Sequence, residues 1–193
     1  PKHGAAGTLN AELHPAIKAL NIEHHFKKGQ YSAAYSGFEG IEDNTDRIQT
    51  REEVEAEQSA GKTLANALKA AGVSRVDVVG IAESHCVKDT ALDAKKLGFE
   101  VTVFEDLTVP VSEELGVAAR KQMAAGASHW LSPADRAGYT QSEAHSRSIN
   151  HAQDSHATQH SPPASTGRYH RRTRGTEPYI DVRFVLVWPM NSA

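Results

Sequence analysis

The chain reads as an α/β protein built on a parallel sheet with helices on its faces. Two observations carry this reading. Apolar, β-branched runs alternate with segments of helical periodicity from Ser59 onward, and such alternation predicts a parallel sheet. Glycines stand where two of the helical segments should stop, Gly72 and Gly98, as expected of helix C-termini.

Residues 1 to about 40 are mixed, with Gly4, Gly7 and Pro15 marking loops. Ala16 to Leu20 is too short to assign, and Phe26 to Tyr31 reads as a short strand entering a loop. Residues 41–57 are highly charged and are expected on the surface. Ser59 to Ala71 predicts a helix, with Leu64, Leu68 and Ala71 spaced along one face. Val76 to Ala82 predicts a strand covered on both faces. Cys86 to Leu97 predicts a helix presenting Val87, Ala91 and Ala94, and Phe99 to Phe104 an alternating strand. Ser112-Glu113-Glu114 resembles a helix start, with an N-cap and acids in the first turn of a helix running to about Ala124. Ser128 to Leu131 predicts a last short strand.

Composition changes near residue 132. Residues 132–178 contain one Ile and no Leu, Val, Phe or Met, too little apolar surface to offset chain entropy. All ten lysines precede residue 132, whereas seven of the eleven arginines follow it. His145, His151, His156, His160 and His170 fall here at irregular spacing without a cysteine, which favours a disordered tail over a metal site. Tyr179 to Trp188 is strand-like again and would serve as an edge strand or an association-prone segment. The organisation is therefore a domain over residues 1–131 and a low-complexity tail over 132–193, with a candidate strand at 179–188.

The net charge of −3 over 193 residues gives no signal for nucleic acid, and no apolar run is long enough to span a membrane. One cysteine excludes an intramolecular disulfide framework and fits a reducing, cytoplasmic setting. The sequence says nothing of oligomeric state.

That cysteine, Cys86, falls between an apolar strand and a helix. Ligands bind beyond the carboxyl ends of parallel strands, and helix N-termini lower thiol pKa. The position suggests a nucleophile; a buried structural thiol is the alternative.

Several segments together resemble a known family. They are Pro1-Lys2-His3, Gly7-Thr8, Ala11 to Pro15, Lys28 to Gly40, Val76 to Ala82, His85-Cys86-Val87, Thr90-Ala91, Asp93-Ala94 and Asp106-Leu107-Thr108. The chain resembles the nicotinamidase/pyrazinamidase branch of the isochorismatase-like cysteine hydrolases over about residues 1–130. The resemblance implies a three-layer α/β/α fold and hydrolysis of nicotinamide to nicotinate and ammonia through a cysteine thioester, a step of NAD salvage. The implied partner is a small-molecule amide, with no nucleic acid or membrane. Cys86 matches the nucleophile, and Lys28 the lysine that supports its anionic form. Ile81-Ala82 matches a non-proline cis peptide, with the N–H groups of Ala82 and Cys86 as the oxyanion hole. Tyr35 matches an aromatic lining the substrate pocket, and His3 one ligand of a divalent metal (zinc, iron or manganese). His85 is read as local packing, and His24-His25 as a surface pair.

The departures matter equally. The family's catalytic aspartate lies on its first strand, and an aspartate and two histidines complete its metal site; nothing in residues 1–130 replaces them. Pro1-Lys2-His3-Gly4 does not resemble a natural start, so the first strand is expected to be missing, the metal not held, and the chain as given inactive. Val185 to Asn191 faintly echoes the missing strand but carries Trp188 where an acid is needed, so it is not read as a circular permutation. Another isochorismatase-like hydrolase, or a non-catalytic truncated protein, is the alternative.

Overall fold

Why the chain turns where it does is clearest around its glycines and caps. The computed structural model describes residues 8–20, 22, 24–43, 45, 47–126, 128–136 and 183–186. A short helix α1 (Pro15–Lys18) precedes the hairpin of β1 (Phe26–Lys27) and β2 (Ile41–Glu42). Then come α2 (Arg51–Ser59), α3 (Leu64–Ala70), β3 (Arg75–Ile81), α4 (Lys88–Lys96), β4 (Glu100–Val109), α5 (Glu113–Ala125), β5 (His129–Leu131), α6 (Pro133–Arg136) and β6 (Arg183–Leu186). The main sheet has the order β5-β4-β3-β6, and all its pairings are parallel. The α/β class and the parallel sheet are thus as expected.

The expected helix over Ser59 to Ala71 is two helices. Ser59 closes α2, Gly61 at φ +76° turns the chain, and α3 begins only after Thr63, whose hydroxyl accepts from the Asn66 N–H. The charged stretch before it is helical because Thr50 and Glu53 form a reciprocal capping box, although no side chain of α2 is buried. The helix expected from Cys86 starts as α4 at Lys88, after an i→i+5 turn over Glu83–Val87.

Two strand patterns are exchanged relative to expectation. In β3 burial alternates, with Val76 and Val78 sealed and Asp77 and Val79 half-buried. In β4, Val101 through Phe104 are all buried. Residues 101–104 alternate between the two faces of β4, so both faces are covered there, and packing over the strand overrides the local pattern. The core joins Val76, Val78, Val101 and Val103 of the sheet to Leu64 and Leu68 of α3, Ala91 and Ala94 of α4, and Ala119 and Met123 of α5.

β6 lies on the side of β3 away from β4, with Asp77 opposite Arg183 and Gly80 opposite Leu186. The edge-strand alternative therefore describes these four residues. His3, the five tail histidines and the remainder of the expected disordered tail lie outside the described residues.

Gly98 ends α4 in the left-handed region at φ +92°. Its N–H donates to the Lys95 carbonyl and that of Phe99 to the Ala94 carbonyl, closing a Schellman motif. A Cβ at Gly98 meets nothing within 4 Å, so any cost is purely conformational. Gly98→Ala is expected to lower stability by about 1–2 kcal/mol, read as a lower urea midpoint at constant m.

Candidate active site

The site forms where β3 reaches its carboxyl end. The β3–β4 register is regular as far as Val78 opposite Val103 and then jumps to Gly80 opposite Thr108. Gly80 sits at φ +120°, which a side chain would resist. The next peptide bond, Ile81–Ala82, is cis. The chain then winds through Glu83–Val87, with the Val87 and His85 N–H groups both donating to the Ala82 carbonyl, at 3.2 and 3.0 Å. Cys86, fourth in this turn, is fully buried.

Lys28 reaches the same point from 58 residues away. Its position follows from the strand before it, β1. Lys27 at the end of β1 pairs with Asp43, just past β2, at 2.8 Å, and Gly29 at φ +70° turns the chain immediately after Lys28. Lys28 is 4% exposed. Its Nζ donates to Cys86 Sγ at 3.5 Å and to the Ala34 carbonyl at 3.1 Å. The following segment is held to α4, where the Gly37 N–H donates to Thr90 Oγ1 at 2.8 Å. Glu39 ties the same segment together by accepting from the Tyr35 and Ser36 N–H groups.

Burial pushes the Cys86 thiol above its ordinary pKa; the charge of Lys28 and a backbone hydrogen bond from Ala82 oppose this without reversing it. Burial likewise lowers the Lys28 ammonium, against the pull of Cys86, Glu39 and Asp89. Desolvation penalises charge on each group, and the attraction between the two opposes it. The helix N-terminus alone suggests a lowered thiol pKa; at this depth burial is the larger effect. Chemically, the arrangement is a thiol that accepts a hydrogen bond from a buried amine, whose charge favours the thiolate.

Tyr35 is 39% exposed and packs its ring against His85, with centroids 5.5 Å apart. It lines a cavity of about 330 Å³ with Ala33, Ser36, Glu39 and the α4 residues Asp89, Leu92, Asp93 and Lys96. Cys86 is not among the residues lining this cavity; the residue before it, His85, is the one that packs against the Tyr35 ring. His85 is itself held by Ser84, whose Oγ lies 2.9 Å from Nδ1. His24 bonds Glu42, and His25 the Ile22 carbonyl. Among the described residues no group of three or more His, Cys, Asp or Glu side chains is arranged to hold a metal ion. No helix among them is long and apolar enough to cross a membrane.

Sequence reasoning missed Glu83. It is 2% exposed, with Oε1 accepting from Arg120 at 2.7 Å and Oε2 from Thr108 at 3.2 Å. The signal was an ionisable residue directly after an apolar strand, which needs a partner once buried.

Comparison with known proteins adds the following. The isochorismatase domain model matches residues 1–135. The chain is 42% identical to the nicotinamidase/pyrazinamidase of Mycobacterium tuberculosis, over 64% of this chain and 58% of that protein. It is 34% identical to the nicotinamidase of Acinetobacter baylyi, over 55% of this chain and 44% of that protein. The chain thus spans about half the length of the curated relatives it matches. A crystal structure of PnC1 from L. infantum in complex with nicotinate is similar at 31% identity and a TM-score of 0.55, covering 70% of this chain and 61% of that one.

Proposed function

Because the chain belongs to the isochorismatase family, we propose that Cys86 is the nucleophile of an amidase acting on nicotinamide. The observation that carries this reading is the buried Lys28–Cys86 contact at the carboxyl edge of a parallel sheet. The likeness to nicotinamidases, one solved with nicotinate, supports the choice of substrate.

In the proposed reaction the thiol loses its proton to water, the charge of Lys28 supports the thiolate, and the thiolate attacks the carboxamide carbon. The tetrahedral intermediate collapses with cleavage of the C–N bond, and the nitrogen takes up a proton from water and departs as ammonia. Water then cleaves the thioester, giving nicotinate and the free thiol. The Ala82 and Cys86 N–H groups are the proposed oxyanion donors; each such donor is worth about 10²–10³ in rate. Tyr35 bounds the substrate side through His85. His3, the residue that the resemblance implies as a metal ligand, lies outside the described residues, and the steps above concern the residues of this chain alone.

The hydrogen bonds of Cys86 among the described residues come from Lys28 and Ala82; general-base help, where a site supplies it, is typically worth about 10²–10⁴. The decisive test is substrate protection combined with ammonia release. Nicotinamide at millimolar concentration is expected to slow alkylation of Cys86. Ammonia release that disappears in Cys86→Ala would show that the site is complete. Neither protection nor release would sink the proposal. It would leave the second reading, an inert structural thiol, which full burial and the raised thiol pKa favour.

A further inference from the structure

We infer that Glu83, clamped by Arg120 and Thr108, is a positioning residue that holds the turn carrying Cys86 in register with Lys28. The inference rests on the reading of Cys86 as the nucleophile. Glu83 opens the five-residue turn in which Cys86 is the fourth residue, so whatever fixes the carboxylate fixes the start of the segment that places the sulfur.

The carboxylate is tied to two separate elements. Arg120 Nη1 donates to it from α5 at 2.7 Å, and Thr108 Oγ1 from β4 at 3.2 Å. Arg120 spans Glu83 and Glu113 with its two terminal nitrogens. Ser84 adds a third tie, its Oγ accepting from the Val111 N–H at 3.2 Å beyond the end of β4. Both oxygens of Glu83 are thus engaged away from Lys28 and Cys86, and the residue acts through the turn rather than on the reacting atoms.

Buried ion pairs add little net stability over apolar packing of the same volume. What a charge-assisted contact does supply is a fixed geometry. The i→i+5 turn begins just past the last β3–β4 pair, Ile81 opposite Val109, after a register jump and a positive-φ glycine, so the ladder does not extend into it. A short Sγ–Nζ contact across 58 residues needs such an anchor.

The full chain has one cysteine, so iodoacetamide reports on Cys86 alone. The pH midpoint of alkylation is the reading, because a looser turn also exposes the sulfur and alters the absolute rate. The charged and titratable groups around the thiol are Lys28 after β1, Glu39 beside it, Asp89 on α4, and His85 and Glu83 in the turn itself. Lys28→Met is expected to raise the midpoint by about one pH unit or more, as loss of an adjacent opposite charge does. Because exposing the sulfur lowers the midpoint while losing Lys28 raises it, the reading for each turn variant is the rise that Lys28→Met causes in its background. In Glu83→Leu and in Arg120→Met that rise is expected to fall to less than about half of its wild-type size. Glu83→Gln, which keeps an acceptor for Thr108 and Arg120, should restore most of it. If Lys28→Met raises the midpoint equally in wild type, Glu83→Leu and Arg120→Met, the positioning role is wrong and the nucleophile reading stands. If Lys28→Met has no effect even in wild type, the thiol–lysine pairing beneath both fails. Should Glu83→Leu not fold, Thr108→Val decides: removing one hydrogen bond must shrink the rise, and an unchanged rise overturns the inference.

Discussion

Lys28→Met is expected to raise the pH at which Cys86 alkylates by about one to three units, lowering the thiolate fraction near neutrality about 10- to 1,000-fold. Methionine keeps the length and apolar stem of the side chain and removes the charge. The sign follows from the two forces on the sulfur. Burial favours the neutral thiol, and Lys28 favours the thiolate; deleting the lysine removes the opposing force and leaves the penalty. The wild-type midpoint should already lie above the ordinary thiol value of about 8.5, since burial is the larger of the two. Because Lys28 is itself pushed down by burial, thiol and amine titrate as a coupled pair, and the measured midpoint belongs to both. A variant that alkylates with the wild-type pH profile would dismiss Lys28 as the partner of the thiol. The same result would place Cys86 among inert buried cysteines, whatever its position on the sheet.

The parts of the fold legible in the sequence are those governed by local rules. Val76 to Val79 has the β-branched content of a sheet interior, Gly98 supplies the left-handed residue that closes α4, and Ser112 caps α5 by accepting from the Leu115 N–H. The signal for α2 was also present, as Thr50 and Glu53 in capping-box spacing, but a search for apolar periodicity passes over a helix that buries nothing. Three features lie beyond local rules. The exchange of burial patterns between β3 and β4 depends on what packs over each strand. The i→i+5 turn follows the end of β3, and residue types do not distinguish it from a first α-helical turn. The approach of Lys28 to Cys86 spans 58 residues; only resemblance to a family, not spacing, put the two side by side. Glu83 shows the same limit from the other direction. Its partners, Thr108 and Arg120, stand on elements that nothing in the local sequence links to the turn.

Met123→Ala is expected to be the most destabilising of these substitutions, costing about 2–5 kcal/mol. Met123 is 1% exposed and is the largest of the fully buried side chains. It lies in the cluster that joins α5 to Val76, Val78 and Val103 of the sheet and to Ala91 and Ala94 of α4. Truncation leaves a cavity at the junction of these elements as well as losing burial, and small neighbours such as Ala91, Ala94 and Ala119 have little side chain with which to refill it. Against a typical total of about 5–15 kcal/mol for a domain, that loss populates unfolded chain at room temperature. The check is urea unfolding, with a lower midpoint and an unchanged m. Val117→Ala on the same helix is the control, since Val117 is 56% exposed and should shift stability by no more than about 0.5 kcal/mol. Equal effects at the two positions would mean that α5 is not packed through Met123. The consequence reaches the site as well. Arg120 precedes Met123 by three residues on α5 and holds Glu83 from there. Loosening the helix should therefore also shrink the rise in the Cys86 alkylation midpoint that Lys28→Met causes, under conditions where the variant remains folded. A destabilised Met123→Ala protein that keeps the full wild-type rise would show that the clamp on the turn does not depend on how tightly α5 is seated.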